Sequence, residues 1–451
     1  MVIRGFIFEL GYEFFGGVLM VHPFEINNKN HLSVDGVDTT YLAEKYGTPL
    51  FIYDVNAIRN NARAFVDTFQ KLGVKAQVAY ASKAFSSIAM LQVAKQEKLS
   101  LDVVSQGELY TALQADFPVE KIHLHGNNKS VDELEMAVKN GIGCIVVDNF
   151  YEINLLHKIL SNYKTTMDVL IRVTPGIEAH THDYILTGNE DSKFGFDLSN
   201  GQAEEAFNQL RESEWIRVKG LHCHIGSQIF ETDGFVMAVG KLFDTISKWK
   251  DKYNYSPSVL NLGGGFGIRY TKEDDPLPLS GYVESLVNEV QKQVDEVGID
   301  YPEIWIEPGR SIVGSTGLTI YSIGSKKNIP GVRKYISVDG GMTDNIRPAL
   351  YQAKYDAVLA NKVNEQIEEK VSVAGKCCES GDMLIWDLDL PKVDPGDLLA
   401  VFSTGAYGYS MSNHYNRFPK AAVVFVENGM DKLVVKRETY QDMVKNDLSY
   451  E

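Results

Sequence analysis

Lys83 closes the run VAYASK (78–83), where small and β-prone residues give way to an apolar pattern of helical spacing at Ala84, Phe85 and Ile88. An amine at a strand end, set among apolar walls, has a lowered pKa and can attack an aldehyde to form a Schiff base. Further along, LNLGGGFG (260–267) offers backbone N–H groups with no side chains in the way, the kind of loop that cradles a phosphate. EPGR (307–310) adds a carboxylate, Glu307, and the planar donor fork of Arg310. A carboxylate there can hold a pyridine nitrogen in its protonated form. An aldehyde-binding lysine, a phosphate cradle and an acid for a ring nitrogen together describe a site for pyridoxal 5'-phosphate.

Three His-x-His pairs, His123/His125, His180/His182 and His222/His224, support a rival chemistry. Residues two apart on a strand face the same side, and such pairs at a barrel mouth can bind zinc for hydrolysis. A metal-dependent barrel hydrolase is therefore the alternative from another class. Against it, His180 and His182 fall in a stretch without strand character, and no late-strand aspartate completes a ligand set. The expectation is no metal. His224, close to Gly226 and Ser227, can instead stack flat on a cofactor ring.

The elements that must position these groups alternate. VAYAS (78–82), LDVVS (101–105), IHLHG (122–126), CIVVD (144–148), DVLIRVTP (168–175), VKGLHCHIG (218–226), VLNLGGG (259–265) and IWIEPG (304–309) read as strands. Between them lie helical patterns such as 87–98, 131–141 and 285–298. Nearly continuous apolar strands separated by helices argue for a parallel sheet buried on both faces. Eight units closing on themselves predict an α/β fold, a (β/α)8 barrel over 48–310, with Lys83, the glycine loop and EPGR at the C-terminal ends of strands one, seven and eight. From 311 to 451 the texture is β-rich, and 20–47 is strand-like too. These two stretches are assigned to one β domain, joined through its N-terminal strand segment, with the barrel inserted between them.

Composition narrows the partners. Lys+Arg 44 against Asp+Glu 60 gives a formal charge of −16, which repels nucleic acid and anionic membrane and favours a small-molecule substrate. Four cysteines are too few to staple 451 residues, and the expectation is reduced thiols in the cytoplasm. Residues 1–19 are apolar but interrupted by Glu9 and Glu13; no function is assigned to this extension.

With these residues in view, the chain resembles the diaminopimelate decarboxylases, of the alanine-racemase-like (fold-type III) pyridoxal phosphate enzymes. The likeness runs from about Pro49 to Tyr409 through YASKAF, HGNNKS, THDYILTGNEDSKFGF, GLHCHIGSQI, LGGGFG, EPGRSIV, GGMTDNIRPALY, CCESGD and GAYGYSMSNHYN. The resemblance implies a lyase of lysine biosynthesis that converts meso-2,6-diaminopimelate to L-lysine and carbon dioxide. It implies that Lys83 carries the cofactor, Glu307 partners the ring nitrogen, His224 stacks on the ring and Asp102 lies nearby. Ser227, Gly263, Gly264, Gly265, Gly309, Arg310 and Tyr407 are implied around the phosphate. Arg310, Arg347, Tyr351, Glu379 and Tyr407 are implied to bind substrate. Cys378 and Glu379 are implied to reach the other subunit's site, making a homodimer the working unit, with Cys378 as a proton donor.

Diaminopimelate carries an ammonium and a carboxylate at its far end, and Glu379 with Arg347 supplies both counter-charges. A decarboxylase of the ornithine, lysine or arginine type is the alternative within the class. The aperiodic segment 176–200 is expected to form a flap over the cofactor mouth, with Gly188 and Gly195 as hinges.

Overall fold

Val, Ile, Leu and Ala dominate eight short strands, and most of their side chains are buried, as a sheet covered on both faces requires. In chain order these are β1 (Ala76–Ala81), β2 (Ser100–Val103), β3 (Ile122–Leu124) and β4 (Cys144–Val147). β5 (Met167–Thr174), β6 (Ile216–His222), β7 (Val259–Asn261) and β8 (Glu303–Ile306) complete the set. A computed structural model describes residues 13–15, 18–20, 24–177 and 192–451. Each strand pairs in parallel with the next, and the ring closes where β8 meets β1, with Ile304 opposite Ala76 and Ile306 opposite Val78. The (β/α)8 barrel expected from the sequence is therefore present.

Short polar residues start the intervening helices. Ser87, Ser105, Ser130 and Asn149 each accept a backbone N–H three residues on, capping the helices that follow β1 to β4. Ser130 and Glu133 form a reciprocal capping box. These caps start a new helix after each of β1 to β4, so those strand ends stay clear for chemistry. Lower in the barrel, Cys144, Val146, Leu170, Val259 and Trp305 pack into one buried cluster, and His123 stacks on Trp305 with ring centroids 4.2 Å apart.

Two compact units divide the chain: Asn60–Gly267 with Pro276–Ser311, and Met1–Arg59 with Ile268–Asp275 and Ile312–Glu451. The first holds the barrel. In the second, a mixed sheet runs Met383–Leu390, Glu369–Ala374, Arg333–Val338, Gly317–Ile329, Leu50–Asp54, Ala422–Glu427, Met430–Val435. Leu50–Asp54, which the sequence reading counted within the barrel, pairs antiparallel with Gly317–Ile329 and parallel with Ala422–Glu427. Its residues are buried without exception, a pattern that fits a central strand of either sheet. Only long-range pairing distinguishes the two. The short strands Phe24–Ile26, Leu32–Val34 and Val37–Asp38 form a small sheet whose Phe24, Leu32 and Val34 share a core with Leu50, Ile52, Leu318 and Val424. Among the described residues no helix is long and apolar enough to cross a membrane.

Candidate active site

β1 ends at Ala81, and Lys83 sits in the tight turn Ser82–Ala84 that follows. The Tyr80 hydroxyl donates to the Phe85 carbonyl at 2.9 Å and closes that turn. Ser82 and Ala84 are buried, but the Lys83 side chain is exposed. The sequence placed this lysine at the end of a buried strand; the turn instead directs it out of the wall. Its charge is felt at His224 and at Glu108.

Glu307 follows β8 directly and is nearly buried. Asn261, the last residue of β7, donates from Nδ2 to Glu307 Oε1 at 2.6 Å. His222, the last of β6, meets Oε2 through Nε2 at 3.2 Å. His125 Nε2 lies 3.2 Å from Glu307 Oε1 and 3.2 Å from Asp102 Oδ1. Burial pushes the Glu307 carboxyl up, but His222 and His125 outweigh it and hold its pKa well below the usual carboxylate range. The group is an anion at neutral pH.

Burial works against a charge on His125 as well, yet the facing carboxylates of Asp102 and Glu307 raise its pKa to about 9. His222 has only Glu307 as an anionic contact; burial wins there and its pKa falls. His222 is thus the neutral N–H donor of the cluster and His125 its cation. His224 is neutral too, through burial and the nearby charges of Lys83 and Arg172. Its Nδ1 accepts the Gly264 N–H at 3.2 Å, which leaves its proton on Nε2.

The glycine loop has a second duty. A Cβ on Gly264 would lie 2.1 Å from the Glu307 carbonyl oxygen, and one on Gly265 2.3 Å from that of Gly226. Gly265 also has φ +108°, which L side chains rarely adopt. These glycines let the ends of β6, β7 and β8 approach one another. The Gly263 N–H donates to Asn261 Oδ1 at 2.9 Å and that of Gly264 goes to His224. Of the three, the Gly265 N–H has no acceptor among the described residues and is open to an anion. Beside it, Arg310 Nη2 donates to Ser227 Oγ at 3.0 Å, joining two further donors. Gly309 packs where a Cβ would meet that of Ala81 at 3.0 Å.

The remaining expected residues belong to the β unit. Arg347 begins the short helix Arg347–Tyr351 and is buried; its Nη1 donates to the hydroxyls of Tyr270 at 3.0 Å and Tyr355 at 2.7 Å. Tyr351 ends that helix, half-buried. Cys378 and Glu379 are exposed on the loop after strand Glu369–Ala374, where Asn416 Oδ1 accepts the Cys378 N–H at 2.7 Å. Tyr407 adopts a positive φ of 61° in the run after Leu398–Val401. All four cysteines are free thiols. Most of the expected flap, including His180, His182 and Gly188, lies outside the described residues.

Sequence reasoning missed the roles of His125, His222 and Asn261. The ligand-capable atoms of His125, His222 and Glu307 all lie within 4.8 Å of one another. The barrel mouth therefore supplies the two-imidazole, one-carboxylate grouping that the hydrolase alternative lacked on sequence grounds. The missing carboxylate is a glutamate after β8, not a late-strand aspartate.

A family model for the pyridoxal-dependent decarboxylases, pyridoxal binding domain, matches residues 55–314. The diaminopimelate decarboxylase of Bacillus methanolicus is 66% identical over 414 residues, covering 92% of this chain and 96% of the relative. That of Bacillus subtilis is 63% identical over 424 residues, covering 94% and 97%. The chain belongs to the diaminopimelate decarboxylase family. It is a pyridoxal phosphate-dependent carboxy-lyase, which decides against the hydrolase. Among solved structures, the diaminopimelate decarboxylase of M. jannaschii in co-complex with L-lysine superposes with a TM-score of 0.88 at 33% identity, covering 94% of this chain and 98% of that one. The donor set fits the cofactor: an exposed amine at Lys83, an ionised carboxylate at Glu307, and anion donors at Gly265, Ser227 and Arg310.

Proposed function

We propose that the chain decarboxylates meso-2,6-diaminopimelate to L-lysine, the last step of lysine biosynthesis, as a cytoplasmic homodimer. The observation that carries the reaction type is Glu307, an anion kept ionised by flanking donors at a barrel mouth that also presents Lys83. The substrate rests on likeness to relatives named for it and on L-lysine in a related crystal.

Pyridoxal phosphate, when bound, supplies an aldehyde for the substrate amine and a ring that takes up the electron pair left by departing carbon dioxide. Lys83 would hold the aldehyde carbon, yield it to the substrate amine and reclaim it to release product. Glu307 would accept the ring N–H and keep that proton in place, and Asp102 would stand beside it. His224, neutral, can lie against the ring without adding a competing charge. Ser227, Gly265 and Arg310 would bind the phosphate, with Gly263, Gly264 and Gly309 permitting the close packing around them and Tyr407 completing the pocket.

Arg347, with Tyr351, would take the carboxylate that is retained, and Glu379 the distal ammonium. Cys378 would donate a proton to the carbon that loses carbon dioxide, with Lys83 as the other candidate. Cys378 and Glu379 would serve the partner subunit's site; both are exposed on the single chain, which suits that role. The test is a visible spectrum of the purified protein followed by carbon dioxide release from meso-diaminopimelate. Visible absorbance and stoichiometric L-lysine are expected. Turnover of ornithine or lysine in preference to diaminopimelate would replace the substrate.

A further inference from the structure

Asp102 and Glu307 bring two carboxylates into one buried pocket, 5% and 9% exposed. Two acids so placed ordinarily share a proton, because neither solvent nor a counter-charge supports both anions. Here an imidazole stands between them. His125 follows β3 directly, two residues from His123, and its Nε2 is equidistant, at 3.2 Å, from one oxygen of each acid. Neither contact is a straight hydrogen bond; one oxygen of each acid faces the same ring nitrogen within ion-pairing distance.

The other groups facing it divide clearly. His222 touches it edge-on with centroids 5.0 Å apart and is neutral. His123 lies 3.8 Å from Asp102 and is stacked on Trp305. Two further cations stand nearby: Arg172, paired with Asp148 at 3.8 Å, and Lys83, whose charge reaches His224 and Glu108. His125 is the one cation among the described residues in direct contact with both acids.

We propose that His125 is a positioning residue of the decarboxylase: an imidazolium clamped between Asp102 and Glu307, so that Glu307 remains a full anion for the cofactor's ring nitrogen. The proposal rests on the pyridoxal phosphate reading of the site. It assigns a distinct job to each member of the two described His-x-His pairs: His123 packs, His125 carries charge, His222 donates as a neutral group and His224 caps the glycine loop.

The experiment uses the full chain labelled with 13C at histidine Cε1, titrated by NMR without cofactor and after loading. His125→Gln identifies the resonance by its loss and provides the kinetic variant, since glutamine keeps a donor and drops the charge. Expected in the unmodified chain is a His125 signal that titrates well above an ordinary histidine, and that moves back toward the ordinary value in Asp102→Asn. Expected in His125→Gln is a kcat lower by about tenfold or more, because Glu307 loses its cationic neighbour and holds the ring nitrogen's proton less firmly, with KM for diaminopimelate little changed.

A His125 signal titrating at or below the ordinary range in the unmodified chain overturns the proposal, whether or not the variant folds. So does unchanged kcat in a folded His125→Gln protein. Failure of the unmodified chain to bind pyridoxal phosphate would instead remove the reading beneath it. Normal cofactor binding with a neutral His125 removes only the clamp.

Discussion

Glu307→Gln isolates the charge at the barrel mouth from its shape. Glutamine fills the same volume and can keep its oxygen toward Asn261 Nδ2, now 2.6 Å from Oε1. Its NH2 then faces His222 Nε2, which donates to Glu307 today. His222 can accommodate this by shifting its proton to Nδ1, a buried atom with no hydrogen-bond partner among the described residues. The backbone around Gly263 and Gly264 has no reason to move, so the fold is expected to survive. What disappears is the anion. A hydrogen bond to a charged group contributes roughly 1.5 to 3 kcal/mol. Because the ring nitrogen draws on that anion most strongly as carbon dioxide leaves, the loss falls on kcat more than on KM. The expected fall in kcat/KM is roughly ten- to a hundredfold. The assay is carbon dioxide release at saturating pyridoxal phosphate, with far-UV circular dichroism as the check on folding. A folded Glu307→Gln enzyme with unaltered kcat at full cofactor occupancy would refute the argument that ionisation of this residue matters.

Further outcomes follow from other residues. Borohydride reduction of the cofactor-loaded protein and peptide mapping should place the modification on Lys83, and an unmodified Lys83 peptide would end the mechanism. Arg347→Ala should reduce kcat/KM for diaminopimelate by at least ~2 kcal/mol, the scale of a lost charged hydrogen bond, while cofactor affinity holds; unchanged kinetics would retire its assignment. Mixing inactive Lys83→Ala and Cys378→Ala subunits should recover roughly a quarter of normal activity if sites are shared across a two-fold dimer, and none if each chain completes its own. Asp344, in the β unit, is raised by burial to about 7. Its folded form binds the proton more tightly, so the stability it contributes is present below about pH 4 and lost as pH rises through about 7. Asp344→Asn should therefore be more stabilising at pH 8 than at pH 4, by up to about 4 kcal/mol in urea unfolding; an equal effect at both would remove the buried-acid explanation.

The barrel strands were legible because each is a short apolar run with its own local signal; the runs at 122–126 and 144–148 begin on the same residues as β3 and β4. Lys83, Glu307 and the glycines were legible for the same reason, as chemistry written next to a strand end. What could not be read locally was decided by closure of the sheet. His125 and Glu307 are 182 positions apart in sequence and meet only because β3 and β8 belong to one ring. Leu50–Asp54 has the composition of a barrel strand, and only its partners in the second sheet reveal where it pairs. Ile268–Asp275 joins the β unit between two barrel segments, and no shift in composition marks the excursion.

The glycine loop shows why a motif can be right for an incomplete reason. Its sequence suggested three amides aimed at a phosphate. Two of those amides are spent inside the protein, on Asn261 Oδ1 and His224 Nδ1. Those two bonds tie the loop to the same residues that serve the ring: Asn261 also donates to Glu307, and His224 is held as the neutral tautomer. The loop thus links the phosphate end of the site to its acid end through one asparagine. Asn261→Ala should accordingly do more than remove a donor. It leaves the Gly263 N–H without its acceptor and Glu307 Oε1 without its shortest bond, so cofactor affinity and kcat should fall together. An Asn261→Asp variant separates the two contacts: it keeps an acceptor for Gly263 but sets a carboxyl against Glu307. If the loop and the acid are coupled as the geometry implies, Asn261→Asp loses kcat while retaining more cofactor affinity than Asn261→Ala. Equal losses in both variants would mean that Asn261 acts only as packing.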